Sequence, residues 1–400
     1  MNSTASPTDR YLKVLEKHWG YTEFRGIQRD IIESIGAGRD TLGLMPTGGG
    51  KSITFQVPAM VLPGVCVVVT PLIALMKDQV AGLRKRHIRA AALHAGLGHE
   101  EILTILDNCV FGHYKFLYVS PERLSSEIFM AKFRHMEVSF VTIDEAHCIS
   151  QWGHDFRPAY LQIAELRKVK PDCPVLALTA TATPEVACDI QHVLRFRQEN
   201  VFRMSFYRPN LAYQVLWADF SLQSLRRVLE ADNGSCIIYR RSRQQCEDLS
   251  KVLNQWGFTS TFFHAGLSHP EKDKRQTLWV QDKVRIMVAT SAFGMGIDKA
   301  DVRLVVHLDI PDSIEEYFQE AGRAGRDGLP ARSIIILDGK ELQYSERRSG
   351  QRYPNVDYIR NVYEDICCYY QLAVGDGWHV TREFNIAQFC RFFHYHPFML

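Results

Sequence analysis

The chain has no CxxC pair and no short-range cysteine framework among its ten cysteines, which excludes the usual spacings of zinc fingers and of small disulfide-stapled domains. Several cysteines sit in apolar runs, as in GVCVVV (64–69) and SCIIY (235–239), where cysteine serves as a small hydrophobe, and a reducing cytoplasm is the expected compartment. An excess of charge of one sign is also missing: 47 Lys and Arg against 45 Asp and Glu leave a formal net charge of +2. Any nucleic-acid site must therefore come from local clusters such as RKRHIR (84–89) and YRRSR (239–243), and a charge run is by default a solvated helix face. The polar start MNSTASPTDR lacks the apolar core of a signal peptide, so secretion is not expected. One long apolar stretch, AMVLPGVCVVVTPLIALM (59–76), is broken by Pro63-Gly64 and Thr70-Pro71; it reads as a helix end, a buried strand and a new start, not a membrane span.

What is present is an ordinary globular composition, 46% hydrophobic and 23% charged, in a chain longer than one core usually holds. Two lobes follow. TLGLM (41–45), CVVVT (66–70), FLYVS (116–120), FVTID (140–144) and VLALT (175–179) form one series of strand-like runs separated by helix-length segments. CIIYR (236–240), TSTFF (259–263), RIMVAT (285–290), RLVVHL (303–308) and RSIIIL (332–337) form a second. Apolar strands alternating with helices predict an α/β fold with a parallel sheet in each lobe, covered on both faces. LHAGL (93–97) and FHAGL (263–267) hint at a shared layout, and the boundary is expected near FYRPNLAY (206–213). After about residue 340 the pattern becomes helical.

Ligands of open parallel sheets lie beyond the carboxyl ends of the strands, and the polar motifs stand there. MPTGGGKS (45–52) follows one strand and precedes the helix-like SITFQVPAMV, as a phosphate loop does. Backbone N–H groups of Thr47, Gly48, Gly49 and Gly50 would cradle phosphates, Lys51 would reach the β/γ-phosphates and Ser52 would ligate Mg²⁺. Met45 stands where the strict pattern has glycine. DEAH (144–147) ends FVTID; Asp144 suits Mg²⁺, Glu145 an attacking water, and His147 a bridge to the other lobe. In QEAGRAGRDG (319–328), Arg323 and Arg326 are expected to share a helical face and to reach a γ-phosphoryl group across the cleft. Nucleotide in one lobe and arginines in the other would make hydrolysis depend on lobe closure.

In order and spacing, VVVTPLIALMKDQV (67–80), LYVSPERL (117–124), DEAHCISQWGHDFRPAY (144–160), LALTATAT (176–183), FYRPNL (206–211), ATSAFGMGIDKADVR (289–303) and the arginine motif resemble the RecQ family of superfamily-2 helicases over roughly residues 15–340. The resemblance implies two RecA-like lobes with an interlobe ATP cleft, residues 1–207 and 208–340, and a small, mostly helical C-terminal segment, 341–400. It implies an ATP- and Mg²⁺-dependent 3′→5′ DNA helicase acting on single-stranded and tailed duplex DNA in recombination, repair or replication. A cytoplasmic monomer is expected, with no membrane partner. GYTEFRGIQRDII (20–32) matches the family's adenine-reading segment, with Tyr21 stacking on the base, Gln28 pairing with its edge and Arg25 supporting both. The aromatic-rich CISQWGHDFRP (148–158) implies single-stranded DNA contacts by Trp152, His154, Phe156 and Arg157, relayed to the ATPase site. Lys77 and YRRSR become expected DNA-backbone contacts, the glycines of SAFGMGID (291–298) suit close approach of the chain to a phosphate of DNA or of nucleotide, and RKRHIR stays undecided.

The tail departs from the family. Many members carry a cysteine-ligated zinc module there, whereas this tail offers Cys367, Cys368 and Cys390, with His379, His394 and His396, at no zinc-finger spacing. Structural zinc is not expected. Tyr358, Val362, Ile366 and Tyr370 predict one packed helix face, and the apolar end FCRFFHYHPFML suggests continuation into further domains. Two rival classes remain: a DNA-binding or annealing module whose ATPase gates affinity, and a small-molecule kinase, which a second complete lobe bearing arginines disfavours.

Overall fold

β-Branched and aromatic runs in the first half of the chain become a seven-stranded sheet: β1 (Thr41–Leu44), β2 (Val65–Val69), β3 (Ala90–Leu93), β4 (Phe116–Val119), β5 (Val138–Ile143), β6 (Val175–Thr179) and β7 (Val201–Arg203). The order is β3-β4-β2-β5-β6-β1-β7, and every pairing is parallel. In this computed structural model the described residues are 7–397 apart from 47, 95, 152–154, 294–298, 353, 374, 379–380 and 396. Thr47, Trp152, His154, His379, His396 and most of SAFGMGID thus lie outside them.

The two faces of this sheet show why its strands are apolar throughout. Val65, Val67 and Val69 join one core with Leu117, Val119, Val175 and Ala177. Cys66 and Val68, with Phe116, Tyr118, Leu176 and Leu178, join a second core on the other face. The period of two sends alternate residues to opposite sides, and a sheet buried on both sides needs both to be apolar. Each buried Val, Leu or Phe side chain among them contributes about 1.5–3 kcal/mol. The N-terminal helix Pro7–Trp19 covers this lobe through Tyr11 and Leu15, packed with Ile32 and Val57.

The second series gives β8 (Leu211–Trp217), β9 (Ser235–Tyr239), β10 (Ser260–Phe263), β11 (Ile286–Ala289), β12 (Val302–His307) and β13 (Ala331–Leu337), in the order β10-β11-β9-β12-β13-β8. β10, β11, β9 and β12 pair in parallel. Trp279 anchors their core, fully buried, with its indole N–H donating to Cys236 O at 3.3 Å and its ring edge-on to Phe293 at 5.5 Å.

The chain forms two compact units. One comprises residues up to Gln214, Glu230–His307 and Pro311–Ile334, and so holds the first lobe and most of the second; the other comprises Val215–Leu229, Leu308–Ile310 and Ile335 onward. Within the second unit, Phe389 is fully buried among rings, 5.5 Å from Tyr369 and stacked on Tyr395 at 5.7 Å. On the helix Val356–Tyr369, Tyr358, Val362 and Ile366 are half-buried, as is Tyr370 just past its end, whereas Cys367 is buried outright. Cys390 is buried and Cys368 exposed. No described helix is long and apolar enough to cross a membrane.

Candidate active site

Strand order creates the site. β5, β6 and β1 are neighbours, so their carboxyl ends bring DEAH, TATAT and the glycine loop together. Gly50 caps the helix Lys51–Val61 in a left-handed conformation, φ 75°. A Cβ there would lie 2.3 Å from the Gln28 amide nitrogen, so glycine is required both for the turn and for the close approach. Lys51 and Ser52 occupy the first turn of this helix, where N–H groups and the helix dipole favour an anion. Thr54 donates to Lys51 O at 2.6 Å and firms that turn.

Lys51 Nζ stands 3.7 Å from Glu145 Oε1, both side chains largely shielded from solvent. Glu145 itself adopts φ 49°, a left-handed conformation unusual for a residue with a Cβ. The bend turns both acids of DEAH towards the glycine loop. Glu145 N–H donates to Asp144 Oδ1 at 3.0 Å, and the Tyr160 hydroxyl donates to Asp144 O at 3.0 Å. Burial first, and then the adjacent Glu145 carboxylate, push the Asp144 carboxyl up, while Lys51 and a backbone N–H pull it back. A carboxyl raised in this way is short of positive charge. With the Ser52 hydroxyl it offers an all-oxygen donor set, which fits a hard divalent cation.

His147 is buried, with Nδ1 2.8 Å from Thr179 Oγ1 and 3.5 Å from Glu145 Oε2. The Thr179 hydroxyl donates to Thr181 O at 3.2 Å, which leaves it an acceptor for a proton on Nδ1. Gln319, from the second lobe, donates to Thr181 Oγ1 at 3.3 Å. A hydrogen-bonded path therefore runs from His147, whose Nδ1 lies 3.5 Å from Glu145 Oε2, through Thr179 and Thr181 into the second lobe.

The arginine motif corrects one expectation. Arg323 and Arg326 share no helical face, because the helix Ile314–Ala321 ends before them and Gly322 and Gly325, the latter at φ 60°, turn the chain. Arg323 is buried beside Tyr239. Arg326 reaches the other lobe: a Cβ placed on Gly48 would lie 3.3 Å from Arg326 Cγ.

Tyr21 is half exposed with the Arg25 guanidinium 5.6 Å from its ring centre. Gln28 is buried; its amide donates to Gly49 O and Gly50 O, each at 3.2 Å, and its carbonyl accepts from Arg25 N–H at 2.8 Å. Segment 20–32 and the glycine loop are thus one hydrogen-bonded piece. In the aromatic-rich segment Phe156 is half-buried, and Arg157 holds Asp155 Oδ2 through two nitrogens at 2.9 and 3.1 Å. Burial pulls the Asp155 carboxyl up, but Arg157 outweighs it and holds the group below the ordinary range. Cys148 Sγ lies 3.6 Å from Asp155 Oδ2 and 3.7 Å from His147 Nε2. Among the described residues this is the one group of three metal-type donors, but its members bond one another and Arg157. Sequence reasoning missed Cys148 and Tyr160, whose types carry no signal apart from their neighbours. Lys77 is exposed, Arg240 and Arg241 are half-buried and Arg243 is exposed. RKRHIR ends a helix, where Arg86 NH1 bonds Gly82 O at 2.9 Å and Arg84 Nε bonds Ala90 O at 3.0 Å.

Among proteins of known description, the RecQ ATP-dependent DNA helicase of Pasteurella multocida is 42% identical over 328 residues, covering 82% of this chain and 52% of its own. The probable ATP-dependent DNA helicase RecS of Bacillus subtilis is 39% identical over 340 residues, covering 84% of this chain and 68% of its own. The chain belongs to the RecQ helicase family. Its RecQ-family lobes match the DEAD/DEAH box helicase model over residues 25–190 and the helicase conserved C-terminal domain over 221–328. The fold is the RecA-like helicase fold: the DEAD-box helicase Mss116, in a structure bound to single-stranded RNA and UDP-BeF, superimposes with a TM-score of 0.68 at 18% identity, over 86% of this chain and 76% of that one. The chain spans about half the length of the Pasteurella RecQ, 52%.

Proposed function

We propose that this RecQ-family chain is an ATP-dependent DNA helicase that translocates 3′→5′ on single-stranded DNA and unwinds tailed duplexes in recombination, repair or replication. One observation carries the reading: Arg326 of the second lobe lies against Gly48 of the phosphate loop, beside the Lys51–Glu145 pair of the first. Lys51 neutralises the β/γ-phosphate oxygens, Glu145 orients the attacking water and Arg326 stabilises charge on the transferring phosphoryl group. Ser52 and Asp144 hold Mg²⁺, which when bound supplies further neutralisation of the phosphate oxygens. Thr47, Gly48, Gly49 and Gly50 cradle the phosphates, and Tyr21 with Arg25 clasps the base. Gln28, bonded to the phosphate loop, ties base recognition to the reacting end.

Trp152, His154, Phe156, Arg157 and Lys77 take the DNA strand in this reading. A DNA phosphate competing for Arg157 would release Asp155, which is linked through Cys148 to His147 and so to Glu145. We assign residues 1–207 to the ATP-binding lobe, 208–340 to the second lobe and 341–400 to a helical segment without structural zinc, acting as a monomer. Ten cysteines, none of them in a disulfide among the described residues, support a reducing cytoplasm as the compartment. Metal analysis of the purified chain tests the zinc statement, and stoichiometric zinc would overturn it.

The decisive experiment is ATP-driven displacement of a strand from duplexes with a 3′ or a 5′ single-stranded tail. Unwinding of the 3′-tailed duplex alone is expected. DNA-stimulated hydrolysis without displacement would instead favour an ATPase that gates DNA affinity, and hydrolysis indifferent to DNA would overturn the motor reading altogether.

A further inference from the structure

The segment 204–210 joins β7 of the first lobe to β8 of the second, and two of its side chains grip the loop that carries Arg326. Arg208 donates through NH1 to Gly322 O at 2.9 Å and through NH2 to Gly325 O. Asn210 donates through Nδ2 to Gly325 O at 2.8 Å and to Leu329 O at 2.9 Å. The Asn210 carbonyl also accepts from Ala331 N–H at 2.8 Å. These donors hold the carbonyls on both sides of Arg326, whose own position follows Gly325. That glycine has φ 60°, and a Cβ on it would lie 2.6 Å from Asn210 Nδ2 and 2.9 Å from Leu329 O. The tight seat exists because the loop is pressed onto Asn210.

We infer that Arg208 and Asn210 are positioning residues that set the reach of Arg326 according to the path of the chain between the lobes. The inference rests on the assignment of Arg326 to phosphoryl-charge stabilisation. The connector starts one residue after β7, which pairs with β1, and β1 leads into the phosphate loop. A shift of the first lobe is therefore carried along the backbone to Arg208, and through its fork to the two carbonyls flanking Arg323–Ala324. A planar guanidinium with fixed divergent donors suits this bridging; a lysine keeps the charge but holds the two carbonyls in no fixed relation. Asn210→Asp keeps the shape, removes both donors and sets a carboxylate against two carbonyl oxygens. Neither residue touches nucleotide in this reading, so the loss should fall on turnover.

The test is steady-state ATP hydrolysis with saturating single-stranded DNA by the full chain carrying Arg208→Lys, Asn210→Asp, Arg326→Ala, and each of the first two combined with Arg326→Ala. An arginine finger is worth ~10³–10⁵ in kcat, and a misplaced one forfeits part of that. Each single positioning variant should lose about tenfold or more in kcat with ATP KM changed less than about threefold. In the Arg326→Ala background either change should cost less than about twofold, since residues acting through one another are not additive. Thermal unfolding of every variant accompanies the kinetics. Full additivity with Arg326→Ala, a loss confined to KM, or a loss of kcat that tracks a lowered unfolding midpoint would each overturn the inference. A parent chain that hydrolyses no ATP would overturn the proposed function along with it, whereas an active parent with additive costs overturns the inference alone.

Discussion

Glu145 is held at φ 49°, a conformation that costs about 1–3 kcal/mol for a residue with a side chain. The strain is offset by what the bend achieves: the carboxylate leaves the strand direction and meets Lys51 at 3.7 Å. A carboxylate that only paired with lysine would tolerate the amide, whereas one that orients water would not. Glu145→Gln is therefore expected to lower kcat by about 10²–10⁴ with ATP binding retained, measured by steady-state hydrolysis and by equilibrium binding of a fluorescent nucleotide. Lys51→Ala is expected to weaken nucleotide binding as well as turnover; retained hydrolysis in both variants would refute the site. The candidate residues at this scale were legible, because glycine runs, paired acids and arginines declare themselves by type. What sequence left out was mutual occupancy. Nothing in the letters says that Arg157 is bound to Asp155, or that Gln28 is already spent on the carbonyls of Gly49 and Gly50.

At the scale of elements, all ten predicted strand-like runs are strands, and three further strands were not named. β3 is built from alanines, which carry little β signal, β7 has only three residues, and all of β8 after Leu211 is exposed. β7 is fixed by tertiary bonds that no local pattern shows. Asp40, just before β1, accepts from Arg167 NH2 at 2.7 Å, from Arg197 N and Nε at 3.0 Å and from Val175 N at 3.0 Å, and its backbone carbonyl accepts from Asn200 at 2.8 Å. One buried carboxylate thus pins the starts of β1 and β6 and the approach to β7. Burial pulls this carboxyl up, but hydrogen bonds from Arg197 and Arg167 outweigh it and hold it below its ordinary value. A depressed folded-state value contributes stability that is present above the unfolded-state pKa, about 3.9, and lost as pH falls through the lower folded value. Denaturant unfolding should show Asp40→Ala destabilised by about 3–5 kcal/mol near neutrality, because Arg167 is left buried without its carboxylate. The gap between parent and variant should narrow below about pH 4. A gap independent of pH would mean that packing, not charge, holds the node.

Across the whole molecule, one contact joins the lobes by hydrogen bonds: Gln319 to Thr181, Thr181 to Thr179, and Thr179 to His147 beside Glu145. The lobes themselves could be counted from the alternation of apolar runs, but Gln319 acquires its role only through folding. A bond of this kind contributes about 0.5–1.5 kcal/mol, so cutting it should cost at most about tenfold in any one step and leave the sheets intact. Thr181→Val is nearly isosteric, removes the acceptor of Gln319, and leaves the Thr181 carbonyl to Thr179. If the path times the movement of the second lobe against the chemistry of the first, hydrolysis should persist while strand displacement falls. The ratio of base pairs unwound to ATP consumed reads this directly, and it should drop in Thr181→Val and in Gln319→Ala alike, with little further loss in the double variant. An unchanged ratio, with both rates reduced together, would place the bond in assembly of the ATP site and leave the coupling to the connector that grips the Arg326 loop.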